Sequence, residues 1–347
     1  MSLKITLTGD VNLMNVEDAS IPFRLISDEL KEADFVLSNL ECCLYLPEHS
    51  HSVDNEGFYA NPKVAAQALK LGNISAVSLA NNVNYGHEAI LQSISELDAC
   101  GVKHTGAGKN KAAALEPVIL ESNGIKVGFI ARTSVYWNTH HEARKDSSGV
   151  AVLRGHTAYQ VPAYKVKAEI PPMNRPGIPP VVVTWADKDY LKEWVEQIKA
   201  LKETCDFVIV SCHWGLWEEV LEYMTEIAQS AVDAGADVVF GHGPHLSLPV
   251  EMYKGKPIFY GLGSFSFHTG HNGRKHGDWV GEMPSITFSK NAITDIRFKL
   301  IRHNDSNETY ICDLNKERET LDFLISKSAL NHCGLSVADQ SVVVQSI

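Results

Sequence analysis

Apolar and polar residues alternate along "KITLTGD" at residues 4–10, and the run stops on Asp10. A two-residue period marks a strand with one buried face, so a first strand is predicted here. Four more apolar runs end on polar groups: "DFVLSNLE" on Asn39 and Glu41, "ISAVSLANN" on Asn81 and Asn82, "DFVIVSCHWG" on His213, and "ADVVFGHGPH" on His242 and His245. Between them a 3.6-residue period predicts helices. These are "PKVAAQALKLG" closed by Gly72, "HEAILQSISELDACG" with Ile90, Ile94 and Leu97 inward and Gly101 as its stop, one carrying Tyr190, Leu191, Trp194, Val195, Ile198 and Leu201, and one stopped near Gly235. This rhythm implies a layered α/β fold with largely parallel strands. "EPVILESNG" and "GIKVGFIART" read as a hairpin turning on Asn123 and Gly124. "KPIFYGLGSFSF", "PSITFSK" and "AITDIRFKLIRH" read as consecutive antiparallel strands, and a C-terminal helix is predicted at 315–331 with Leu321, Leu324 and Ile325 inward. Over 133–180 the periodicity dissolves into polar, aromatic and proline-rich sequence, read as an insertion or lid on a single domain spanning 1–347.

Ligands collect at the carboxyl ends of strands in open α/β sheets. Five predicted strands end there in metal-capable groups: Asp10 with Asn12, Glu41 with Asn39, the Asn81–Asn82 pair, His213, and His242 with His245. Imidazoles with carboxylates form a mixed nitrogen and oxygen shell suited to Mn, Fe or Zn, whereas calcium takes nearly all oxygen and structural zinc recruits cysteine. The set suffices for two divalent ions, which a bridging carboxylate would hold roughly 3.5–4 Å apart. One amide of the Asn81–Asn82 pair is expected to ligate and the other to orient a neighbour.

The formal net charge of −11 and pI near 5.7 exclude a general nucleic-acid binder, because backbone affinity needs clustered Lys and Arg. A small anionic substrate or a glutamate polymer is expected instead, with bound metal offsetting the repulsion. The N-terminus lacks a signal-peptide pattern and no stretch has the apolar length of a membrane span. The expectation is a cytoplasmic protein, although a cloning leader at Met1, Ser2 and Leu3 would leave room for a native N-terminal anchor. The seven cysteines are odd in number and lack a C-x-x-C, which favours reduced thiols. "HTGAGKN" at 104–110 lacks the spacing and the Ser or Thr of a phosphate-binding loop and reads as a strand-to-helix turn. Tyr59, Arg132, Trp214 and His268 are candidate substrate contacts, each with a structural alternative as core, salt bridge or turn.

The runs "GDVNL", "NLE", "ANN", "HWG" and "AGADVVFGHGPHLSLPVEMYKGKPIFYGLGSF" resemble the CapA-type capsule-synthesis family associated with poly-gamma-glutamate, which is similar in fold to the calcineurin-like metallophosphoesterases. The resemblance covers residues 3–289 and is most specific over 234–265. It implies a four-layer α/β/β/α sandwich of metallophosphoesterase type. It also implies that Asp10 and His245 bind a first metal, Glu41 bridges, and Asn82 (or Asn81), His213 and His242 hold a second. Asn12 stands where the phosphoesterases have a histidine, and an amide is a poorer ligand for Zn or Fe. The family pattern Asn-Asn-His is here Asn81-Asn82-Val83, which removes a proton donor. With Asn39 and Asn81, His87 is a candidate catalytic residue; His87, His140, His141 and His156 are the candidate replacements for the missing histidine. The leading expectation is a dinuclear metal-dependent hydrolase of phosphoesters or related anions. The alternatives are a poly-gamma-glutamate or envelope-polymer processing factor and a non-catalytic metal-binding module.

Overall fold

The computed structural model describes residues 2–48, 58–161, 179–267 and 279–347. Two sheets face each other. The larger runs, edge to edge, through Cys333–Ala338, Ser341–Ser346, Ala292–His303, Gly281–Ser289, Ser2–Asn12, Phe35–Leu40, Ile74–Ser78 and Lys103–Thr105, with Ser264–Phe267 added beside the end of Ser2–Asn12 and Thr309–Ile311 beside Ala292–His303. The smaller runs Val250–Tyr253, Lys256–Phe259, Val238–His242, Phe207–His213, Ile125–Thr133 and Val118–Ser122. Its four inner strands are parallel and its two edge strands antiparallel.

Strand alternation sorts the side chains into three cores. Leu3, Ile5, Leu7, Leu37 and Ala76 of the larger sheet meet Val127, Phe129, Phe207, Ile209 and Phe240 of the smaller one. Phe207 and Phe288 cross this gap with ring centroids 4.6 Å apart. Such an aromatic pair adds about 0.5–1.5 kcal/mol to its area burial. On the outer face of the larger sheet, Val36, Leu40 and Val77 pack with Leu69, Ile90 and Leu97 of helices Pro62–Leu71 and His87–Cys100. On the outer face of the smaller sheet, Val208, Val210 and Val239 pack with Trp194 and Ile198 of Lys188–Lys202 and with Met224 and Ile227 of Glu222–Ala234. The order helix, sheet, sheet, helix is the expected four-layer sandwich. Leu321 and Leu324 of Arg318–Ala329 join the core between the sheets, so the C-terminal helix plugs the end of that gap.

Several expected boundaries move. The strand through "ISAVSLANN" ends at Ser78, because the Ser78 hydroxyl accepts the Ala80 N–H (3.2 Å) and Asn81 Oδ1 accepts the Val83 and Asn84 N–H groups (3.1 Å each), closing a turn in place of a ladder. "KPIFYGLGSFSF" is two strands in different sheets: Lys256–Phe259 lies parallel to Val238–His242, and Ser264–Phe267 lies parallel to Ser2–Asn12. Gly263, at φ 68°, makes the crossing. The C-terminal helix begins at Arg318 and is followed by an unforeseen hairpin, Cys333–Ala338 with Ser341–Ser346, whose turn residues Asp339 and Gln340 take φ 48° and 58° without a glycine. The 133–180 segment is described at 133–161 and 179–180. There it is not structureless: Val150 and Val152 enter the helix-side core, and Gly155–Gln160 pairs antiparallel with Val181–Ala186. No helix among the described residues is long and apolar enough to cross a membrane.

Glu282 is a charge-bearing residue without compensation. It is fully buried on Gly281–Ser289, neither carboxylate oxygen has a hydrogen-bond partner among the described residues, and burial lifts its carboxyl well above the ordinary range. The unfolded chain ionises this group near about 4.3, so the folded state loses stability as pH climbs from there toward the raised folded value. Glu282→Gln is expected to melt higher than wild type at pH 8, by on the order of 1–3 kcal/mol, with the gap shrinking as pH falls toward 4. Parallel pH profiles of the two proteins in differential scanning calorimetry would refute this.

Candidate metal centre

A backbone irregularity places the first acid. Leu3, Ile5 and Leu7 face the gap between the sheets, but the pairing register of Ser2–Asn12 with Phe35–Leu40 shifts between Leu7 and Asp10. Beyond the shift Val11 joins the helix-side core, so Asp10 turns to the inter-sheet side. The register pairs Asp10 with Asn39 and with Ser264. From the smaller sheet, His213 and His242 end adjacent parallel strands and are register partners, both facing the same gap as Phe207, Ile209 and Phe240. His245 follows in a turn at φ 63°, where its ring stacks on Trp279 at 5.2 Å and meets the edge of Phe267 at 4.8 Å.

Two ligand groups result, and they share one residue. Asp10, His213 and His242 bring one donor atom each within 4.8 Å of one another, and so do Asp10, Glu41 and His245. Asp10 Oδ1 is 3.6 Å from His242 Nδ1, Oδ2 is 2.9 Å from His245 Nδ1, and His245 Nε2 is 3.7 Å from Glu41 Oε1. His213 Nδ1 is 2.9 Å from His242 Nδ1, while its Nε2 is 2.8 Å from Asn82 Oδ1.

These distances fit a cation. Asp10 is fully buried with Oδ2 2.9 Å from His245 Nδ1, and the donor atoms of both groups turn toward a common space. Burial pushes the His242 imidazole down to about 4 and that of His213 well below its usual value, with the neighbouring imidazole adding to the effect at His213. Burial alone would raise the Asp10 carboxyl, but contact with His245 holds it far below the usual range. Neutral imidazoles around an ionised carboxylate are the protonation states a divalent ion requires.

Amides support this cluster. Asn39 Nδ2 donates to Asp10 Oδ1 (2.8 Å) and reaches Glu41 Oε2 at 3.5 Å. Asn81 Nδ2 donates to Asn39 Oδ1 (3.0 Å) and to the Leu40 carbonyl (2.9 Å), and Asn84, which the sequence reading missed, donates to the same carbonyl (3.0 Å). Asn39 and Asn81 are therefore placed to orient the acids, and Asn82 is the amide whose oxygen faces His213. Asn12 is different: its Oδ1 accepts the Met14 N–H at 2.9 Å, so the oxygen is already committed, and its buried Nδ2 has no hydrogen-bond partner among the described residues.

Other candidates lie elsewhere. Arg132 and Trp214 point to the opposite face of the smaller sheet from His213. Arg132 bonds the Ala131 carbonyl and Gln197 and lies over Trp194, and Trp214 is fully buried with its indole N–H on the Tyr260 carbonyl. The two-residue strand period separates them from the site, so neither is placed to touch a substrate there. Tyr59 packs edge-on against Tyr45 on the short pair Cys43–Leu44 and Tyr59–Ala60. Val83 is buried in the helix-side core. Among the replacements for its missing proton donor, His87 Nδ1 meets Ser148 (2.8 Å), His141 is held by the Trp137 N–H (3.1 Å) and the Asn84 carbonyl (2.9 Å), and His156 pairs with Asp187 (2.9 Å). His140 lines a separate cavity of about 280 Å³ with His87 and His141. His268 lies outside the described residues. The 104–110 stretch holds parts of two short strands, Lys103–Thr105 and Ala107–Gly108, bent at Gly106 (φ 92°), before it turns into Lys111–Ala114 capped by Asn110.

The family model described as bacterial capsule synthesis protein PGA_cap matches residues 4–269. The PGA biosynthesis protein CapA of Bacillus subtilis is 26% identical over 253 residues, covering 72% of this chain and 57% of that protein. A probable polyglutamine synthesis accessory protein of Mycobacterium tuberculosis is 27% identical over 251 residues, covering 67% and 57%. The chain thus spans under two thirds of the length of these curated relatives. The crystal structure of a novel phosphatase from Mycoplasma pneumoniae superposes with a TM-score of 0.51 at 11% identity, over 87% of this chain and 94% of that one, a likeness of fold.

Asn81→Ala would strip the Val83 and Asn84 N–H groups of their acceptor and Asn39 of its donor. Each buried group left unpaired costs about 1–3 kcal/mol. A loss of roughly 2–4 kcal/mol is expected in urea unfolding; a change under about 0.5 kcal/mol would show that the turn does not depend on this side chain.

Proposed function

The chain belongs to the bacterial capsule synthesis protein PGA_cap family, and from that membership and the geometry of its acids and imidazoles we propose that it is a metal-dependent hydrolase with a dinuclear centre acting on an anionic substrate, a phosphoester or a related bond. The observation that carries this reading is the pair of ligand groups meeting on Asp10. Asp10, Glu41 and His245 would hold one ion, and Asp10, His213 and His242 with Asn82 the other. Mn, Fe and Zn all suit this donor set. A divalent pair there acidifies water toward neutrality and offsets negative charge on the reacting group.

The protein's own residues set the conditions for that chemistry. Burial keeps His213 and His242 neutral as donors, and Asn39 holds the Asp10 carboxylate in one orientation through Oδ1. Val83 can neither give nor take a proton, and His87, His141 and His156, three of the four histidines weighed in its place, are hydrogen-bonded elsewhere. The reading therefore favours substrates whose leaving group departs without strong protonation. Across a series of aryl phosphates the rate is expected to fall steeply as the pKa of the departing phenol rises. A flat dependence, with chemistry shown to be rate-limiting, would mean that an acid is supplied from elsewhere.

A second reading is supported by the relatives named for PGA biosynthesis and polyglutamine synthesis: a glutamate polymer as the substrate of the same centre. Both readings are tested together. Elemental analysis of protein purified without chelator or nickel is expected to find about two equivalents of metal, lost in part in His242→Ala. Hydrolysis should stop on chelation and return with Mn, Fe or Zn, and a panel of phosphoesters beside gamma-glutamyl polymers identifies the substrate. Turnover that continues unchanged after thorough chelation would rule out the metal mechanism. A protein that loads metal yet turns over neither class would be the non-catalytic module.

A further inference from the structure

Ser211 is, with His213, one of two polar residues on the inter-sheet face of the strand Phe207–His213. Ile209 and Phe207, two and four residues back, lie in the apolar core between the sheets, and Ser211 is itself fully buried. A hydroxyl there needs a hydrogen-bond partner, and it has one in His242 Nε2 at 2.7 Å. The contact follows from the strand register. Ser211 pairs with Phe240 and His213 with His242, so Ser211 and His242 are diagonal neighbours across two parallel strands. The other nitrogen of the His242 ring, Nδ1, faces the ligand cluster, 3.6 Å from Asp10 Oδ1 and 2.9 Å from His213 Nδ1. Ring contacts with Phe240 at 5.9 Å and His213 at 5.0 Å confine the plane of the imidazole but not which nitrogen points inward. The serine makes that distinction.

We propose that Ser211 is a positioning residue of the metal centre: its hydroxyl oxygen accepts the His242 Nε2–H, locks that tautomer and ring orientation, and leaves the Nδ1 lone pair free for a divalent ion. The inference rests on the metal-centre reading above. Outer partners of this kind change metal affinity by about 10–100-fold when removed.

The test measures Zn(II) affinity by chelator competition on the full chain for wild type, Ser211→Ala, Ser211→Thr and His242→Ala. It also records ring-nitrogen NMR of the histidine-labelled, Zn-loaded protein. Ser211→Ala is expected to bind Zn about 10–100-fold more weakly, with Ser211→Thr recovering most of the loss because it keeps the hydroxyl. The Nε2–H resonance of His242 should be present in wild type, shifted in Ser211→Ala and restored in Ser211→Thr, a pattern that simple loss of packing does not produce. Wild-type affinity in Ser211→Ala alongside lost affinity in His242→Ala would overturn the role of Ser211 and leave the centre standing. Wild type that binds no metal would overturn the centre itself. Should Ser211→Ala fail to fold, the wild-type spectrum still decides: a His242 that carries its proton on Nδ1 with Zn bound contradicts the proposal.

Discussion

The centre depends on one close approach of backbone to backbone. Asp10 N–H donates to the Gly263 carbonyl at 3.0 Å, and a Cβ on Gly9 would stand 1.8 Å from that carbonyl oxygen. Only glycine permits this, and through it the chain leaving the smaller sheet is laid directly against the end of the first strand of the larger one. Asp10 belongs to one sheet, His213 and His242 to the other, and His245 to the turn before the crossing. Without the contact at Gly9 the two halves of the ligand set would share a fold but not a point in space.

Electrostatics then converts proximity into a defined protonation state. Two buried imidazoles facing one another at 2.9 Å cannot both be charged, and burial favours neutrality for each. The Asp10 carboxylate, buried beside these rings, is held ionised chiefly by its contact with His245. Hydrogen bonds from Asn39 restrict its orientation, and Asn81 in turn restricts Asn39. Unlike a surface ion pair, which exchanges freely with water, this arrangement has little freedom left to lose when a cation enters.

Much of this was legible in the sequence. Strand endings located the acids and imidazoles that cluster, because the strand period and the α/β rhythm are local properties. Gly72, Gly101 and Gly235 marked helix stops because a helix C-terminus favours glycine chemistry directly. What local patterns could not carry was long-range: the register shift that turns Asp10 inward, the change of sheet at Gly263, and the face on which a residue at a strand end falls. Arg132 and Trp214 looked like site residues because they stand at the ends of apolar strands, yet adjacent residues of a strand point to opposite faces. The C-terminal hairpin escaped because its turn uses Asp339 and Gln340 at positive φ, without the Asn-Gly or Asp-Gly signal.

The abundance of amides at the strand ends has a reason independent of metal. Where a ladder stops inside a protein, backbone N–H and C=O groups lose their partners and must find others. Asn12 serves the Met14 N–H, Asn81 serves Val83 and Asn84, and Asn81 with Asn84 serves the Leu40 carbonyl. A carboxylate in those places would bring a charge that the cluster cannot absorb, and an apolar residue would leave the backbone unpaired. Amides satisfy the turn while remaining neutral, and their second polar atom is left to hold Asn39 or face His213. The same side chains thus close the strand ends and hold the acids and imidazoles in place, so the stability of the turns and the geometry of the cluster are carried by one hydrogen-bond network.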